Sequence, residues 1–224
     1  MTLDSIDLTL WLASIVMESV LIAMVVWKRV YRKLPIFFCF LIWCLASDAG
    51  MAVAHLFPSA YLPATLANIT VDALFQLAIL AELGRAVVRY NRVAPPSRLV
   101  IVLLTALACV LAGSLNKWTI PTQLPIIEML YVVLMQLFAI LRVVFLLTLV
   151  WWSSLQGLRW PTRELRIVTG LGFYIVATLC VAILHSHNMT GMQYHWLDQL
   201  LVGGYLWTLS YWMLASTTKV AEPQ

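Results

Sequence analysis

Three carboxylic acids lie deep inside apolar sequence: Glu18, Asp48 and Asp72. Hydrocarbon cannot solvate a charge, so an ionisable group among so many apolar neighbours is rare and faces a helix-bundle interior or a water-filled space. Acids so placed could bind a cation or a small polar ligand, or relay protons. They could also hold helices together by hydrogen bonds as neutral groups. At 1.5 Å per residue of helix, Glu18 lies about 15 Å, Asp48 about 13 Å and Asp72 about 15 Å from the same end of its own stretch. Helical phase supplies each acid with polar company. Thr65, Asn68, Asp72 and Gln76 fall on one face at spacings of three and four, as do Cys44, Asp48, Met51 and His55. Ser14 lies one turn from Glu18, and Tyr174, Thr178 and His185 align. Asp198, Tyr205 and Trp212 recur every seven residues. The candidate ligand or proton site is therefore Glu18, Asp48, Asn68, Asp72, Gln76 and Tyr205. No lysine or arginine is expected at its level.

A second set has metal-ligand chemistry. The four histidines, His55, His185, His187 and His195, map to the ends of stretches on the face opposite the basic loops, with Glu128 and Asp198 nearby. Neutral imidazole binds transition metals, and a carboxylate can complete the shell. The pairs His185-x-His187 and His195-x-x-Asp198 could hold a transition metal, and His55 with His185 could hold a haem. The alternative is interfacial histidines bonded to water and loops, or a pH sensor. Toward the basic end, Glu82 and Arg142 are expected to form a structural ion pair. Cys39, Cys44, Cys109 and Cys180 lie in apolar stretches without a CxxC pair and read as packing residues.

The elements that carry these residues are membrane spans. Of 224 residues, 62% are hydrophobic and 11% charged, against about a quarter charged in soluble domains. One soluble core could not hide so much apolar surface. Seven stretches approach the roughly 20 apolar residues that a span needs, at about 8–27, 35–57, 62–83, 99–115, 124–152, 167–185 and 196–215. Lys28, Arg29, Arg32 and Lys33 follow the first stretch. Arg85, Arg89, Arg92 and Arg98 follow the third, Arg159, Arg163 and Arg166 the fifth, and Lys219 the seventh. The alternate loops hold only Lys117. By the positive-inside rule the N-terminus is outside and the C-terminus cytoplasmic. The acidic N-terminus lacks the basic region of a cleaved signal peptide. Short, charge-mixed loops give no support for nucleic-acid binding.

Seven helices with this orientation are similar in topology to retinal proteins, but residues 196–215 hold no lysine for a Schiff base. Ser47-Asp48 with His55 is faintly similar to seven-helix metal-dependent hydrolases, whose paired histidines on the last helix are missing here. The run Val71-Asp72-Ala73-Leu74, Leu77-Ala78-Ile79, Glu82 and Arg85 resembles a group of uncharacterised bacterial seven-helix membrane proteins. That resemblance implies the topology and a role for Glu82, and no activity.

The sequence thus predicts an all-α, single-domain seven-helix bundle in the inner or plasma membrane. It carries no catalytic motif. The leading expectation is a non-enzymatic binding, sensory or accessory subunit with an outward-facing polar cavity. Beside the lipid bilayer, its partner would be another membrane protein or a second copy. A metal- or haem-binding redox protein and a small proton- or cation-coupled transporter are the alternatives.

Overall fold

The computed structural model describes residues 5–54, 56–93, 106, 110, 126–187 and 191–217. Side chains are described for all of these except residues 5, 58–60, 126–132, 185–187, 191–195 and 198. Six long helices account for nearly all of it: α1 (Ser5–Trp27), α2 (Pro35–Ala54), α3 (Pro58–Asn91), α4 (Ile126–Leu155), α5 (Thr162–His187) and α6 (Gly191–Thr217). A 3-10 turn, Val30–Arg32, joins α1 to α2. There is no strand among the described residues. Five helices, α1 to α5, contain segments long and apolar enough to cross a membrane. The sixth, α6, is interrupted by polar residues, among them Gln199, Tyr205, Thr208 and Ser210.

Local chemistry sets the helix ends. Pro35 opens α2 and Pro58 opens α3, where a missing N–H costs nothing and φ is already helical. Pro58 also forces the chain before it out of helix. The second helix accordingly stops at Ala54, three residues short of the expected 57. The third runs on from the expected 83 to Asn91: Arg85 and Arg89 stand exposed on it, and no proline lies between Leu83 and Asn91. It ends when Arg92 turns left-handed at φ 54° and its N–H bonds the Val88 carbonyl. Arg29 makes the same left-handed turn after α1. The expected 99–115 span lies outside the described residues, apart from Ala106 and Val110, which are both helical.

The described helices pack in sequence order around a closed ring, α1 to α6, with α6 returning to α1 and α3 also touching α5. Paired residues give their directions. Between α2 and α3, Ser47 meets Asn68 while Ile36 and Phe37 meet Glu82, an antiparallel match. Between α5 and α6, Arg166 meets Ala215 and Tyr174 meets Tyr205, also antiparallel. Two neighbouring pairs run the other way. Gln76 meets Arg142, and Gly84 lies beside Leu149, so α3 and α4 are parallel. Asp7 meets Gln199, Glu18 meets Tyr205 and Lys28 meets the Ser216 carbonyl, so α1 and α6 are parallel.

Packing differs along the bundle. Large buried apolar side chains form one layer toward the end that carries Lys28, Arg85 and Arg159. It contains Leu21, Phe37, Phe40, Leu80, Leu83, Leu146, Leu171, Ile175, Leu209 and Trp212. The Trp212 ring sits edge-on to Phe37 at 5.0 Å, and its indole N–H donates to the Ile167 carbonyl at 3.2 Å. Only a glycine fits opposite, since a Cβ on Gly170 would lie 2.4 Å from that nitrogen. Toward the other end, the described buried apolar residues are mostly small: Ala54, Ala73, Ala139 and Ala182, with Val181 and Ile140.

Candidate functional site

Just beyond the apolar layer, every described helix contributes polar side chains to one cluster. From α1, Ser14 donates to Asp48 Oδ2 on α2 at 3.0 Å. The Tyr205 hydroxyl on α6 donates to Glu18 Oε1 at 2.6 Å. Ser47 on α2 donates to Asn68 Oδ1 on α3 at 2.6 Å. Within α3, Gln76 Nε2 donates to Asp72 Oδ2 at 2.7 Å, while its Oε1 accepts from Arg142 Nη1 on α4, also at 2.7 Å. The Arg142 guanidinium lies 3.8 Å from Asp72 Oδ2.

Two residues join these pairs. The Cys44 thiol lies next to the Tyr205 hydroxyl and within electrostatic range of Asp72, Glu18 and Asp48. On α5, Tyr174 is within electrostatic range of Asp72, Arg142, Cys44 and Asp48, and its ring centre is 5.5 Å from that of Tyr205. Of the residues expected as a site, Glu18, Asp48, Asp72, Gln76 and Tyr205 are linked through these bonds and electrostatic contacts, while Asn68 bonds Ser47 across α2 and α3. Helical phase explains this. Asp72 and Gln76 lie one turn apart on α3, and Cys44 and Asp48 one turn apart on α2. Each pair turns the same face to its neighbours.

Burial within the cluster is uneven. Gln76 is fully buried, Glu18 is 1% exposed and Arg142 6%. Asp72 nevertheless keeps 26% of its side chain accessible although it is paired across the helices. Asp48, Asn68, Cys44, Tyr174 and Tyr205 are also only partly buried. Glu18 Oε2 is buried without a hydrogen-bond partner among the described residues. An orphaned buried acceptor or acid costs about 1–3 kcal/mol.

Two sequence expectations need correction. Glu82 and Arg142 are not partners. The Glu82 carboxylate accepts the backbone N–H groups of Ile36 (3.0 Å) and Phe37 (3.1 Å) in the first turn of α2. Those are donors that no helix can satisfy internally, and the positive end of the helix dipole favours an acid there. Nor does the central level lack a cation, because Arg142 occupies it. Side chains on a helix lean toward its N-terminus. Arg142 does so, bonding the Phe138 carbonyl one turn back with Nε at 3.1 Å and reaching Gln76 and Asp72, away from Glu82. That lean was the available signal. Ser47 was also missed as a member of the cluster; it sits one residue before Asp48 and bonds across to α3.

The metal or haem reading rests on residues that lie outside this description. His55 is outside the described residues, and His185, His187, His195 and Asp198 lie on helices without described side chains. Chemically, the central cluster offers hard oxygen acceptors, two phenol rings and one thiol. Three carboxyls face a single guanidinium, so the acids are in excess.

With the geometry set out, the class is an all-helical bundle whose long apolar helices suit a membrane. Compared with protein-family models, curated proteins and solved structures, the chain matches none.

Proposed function

We propose that this chain is a multi-pass protein of the inner or plasma membrane that binds a small polar ligand between its helices from the outer face. It then serves as a binding, sensory or accessory subunit. The observation that carries this reading is that Glu18, Asp48 and Asp72 are each engaged by a side chain of a neighbouring helix, with Cys44 in electrostatic range of all three and accessible surface left on Asp72, beside the apolar layer. That layer lies between the cluster and the basic loops, so access comes from the opposite face. The positive-inside rule makes that face the outer one.

Seven crossings, N-terminus outside and C-terminus in the cytoplasm, fit the helix directions. The chain leaves α3 at Asn91 and enters α4 at Ile126 running the same way, so it must return to its starting side in between. The 34 intervening residues suffice, since about 20 helical residues cover 30 Å. Parallel α1 and α6 likewise fit an odd number of crossings.

Cys44 is a built-in reporter. In a variant with Cys39, Cys109 and Cys180 changed to serine, a membrane-impermeant thiol reagent added outside should modify Cys44. Reaction only from the cytoplasmic side, or none from either side in folded protein, would remove the outward-opening site.

A further inference from the structure

The cluster divides by charge into two halves. On α3 and α4, Asp72 has its counter-charge in Arg142, and Gln76 bonds both of them. That half is electrically closed. On α1, α2 and α6, Glu18 and Asp48 lie within electrostatic range of each other, and the side chains that bond them are Tyr205 and Ser14, which are neutral donors. Neither acid forms an ion pair among the described residues. Two neighbouring acids in low dielectric must either hold protons or be offset by positive charge, and a bound cation supplies the second. Glu18 also presents the orphaned Oε2, on a side chain 99% removed from solvent. Its surroundings suit a small cation. Oxygen atoms of Glu18, Asp48, Ser14 and Tyr205 can coordinate or accept, and the adjoining Tyr174 and Tyr205 rings can face a positive charge. The counter-charge needed is small, since Arg142 already offsets the third acid.

We propose that Glu18, with Asp48 and Tyr205, forms a subsite for one compact monovalent cation, either an alkali-metal ion or the primary ammonium group of a small ligand. This rests on the proposed binding site and names its ligand chemistry. Occupancy supplies Oε2 with its missing partner and neutralises the α1–α2–α6 half as Arg142 neutralises the other.

The test uses the purified full chain in detergent at constant ionic strength, with N-methylglucamine chloride as the bulky reference salt. Sodium chloride and ethylammonium chloride are titrated separately. Either one should raise the unfolding midpoint saturably, by about 3 °C at ten times its half-saturating concentration. At that concentration the same salt should slow modification of Cys44 about tenfold by mass action. Glu18→Gln should lose both effects. A response to sodium alone assigns an alkali ion, and a response to ethylammonium alone assigns an amine. A response to both assigns a size-tolerant cation site. No response beyond N-methylglucamine in the wild type, or an undiminished response in folded Glu18→Gln, overturns the proposal. Should Glu18→Gln fail to fold, wild-type protection of Cys44 decides. Modification of Cys44 that no cation slows would defeat the subsite and leave the outward-opening site standing. If Cys44 never reacts, the opposite holds, and the midpoint shift alone judges the cation.

Discussion

Arg142 carries more of the site's logic than any other single residue. It lies 6% exposed, bonds Gln76 Oε1 and stands 3.8 Å from Asp72. Breaking a buried charge pair from one side leaves the other charge uncompensated, which costs more than removing both. Arg142→Gln should therefore destabilise the protein by about 3 kcal/mol. Asp72→Asn added to it should restore about half of that. Unfolding of the single and double variants in detergent measures the coupling. Strictly additive losses would mean that the pair is not an energetic unit. Hydrogen bonds between helices elsewhere in the cluster, such as Ser47 to Asn68, are individually modest, about 0.6 kcal/mol in membranes. The cluster's stability thus depends chiefly on its charged members.

At the scale of elements, Glu82 ties α3 to the start of α2. Its two oxygens take the N–H groups of Ile36 and Phe37, and Phe37 in turn packs on Trp212 of α6. One carboxylate thus fixes where α2 begins and the register of three helices in the apolar layer. Glu82→Ala should cost about 1–2 kcal/mol, as loss of a helix cap does. Glu82→Gln should cost roughly half as much, since one amide oxygen can still accept from the helix start. Amide hydrogen exchange at Ile36 and Phe37 provides the local readout. Both amides should lose protection in the alanine variant, and protection equal to wild type would show that Glu82 does not cap α2. The arrangement also accounts for the failure to meet Arg142. Glu82 is already engaged by the helix end, and Arg142 leans one turn the other way.

At the scale of the whole molecule, the ring closes through parallel contacts between α1 and α6. Ser5 at the start of α1 and Thr217 at the end of α6 then lie at opposite ends of the bundle. In a chain without native cysteines, Ser5→Cys should react with an impermeant reagent from outside the cell. Thr217→Cys should react only once the membrane is opened. Reaction of both from one face would rule out an odd number of crossings. The same view explains the layering. Bulky Leu, Phe and Trp side chains fill the space near the basic end, and mostly small residues line the contacts beyond the cluster.

Much of this was determined by the sequence alone. Runs of apolar residues set where helices lie, because a backbone in hydrocarbon must satisfy its own hydrogen bonds. Basic residues in alternate loops imply an orientation. The period of 3.6 residues placed Asp72 with Gln76, and Asp48 with Cys44, on faces that could meet. Which groups are partners was decided only by the tertiary structure. A hydrogen bond or ion pair depends on ångström-scale separation between helices, and that follows from ring order, relative direction and the lean of each side chain. Glu82 found a helix end, Arg142 found Asp72, and Glu18 Oε2 found no described partner, for reasons of packing that no spacing along the chain records.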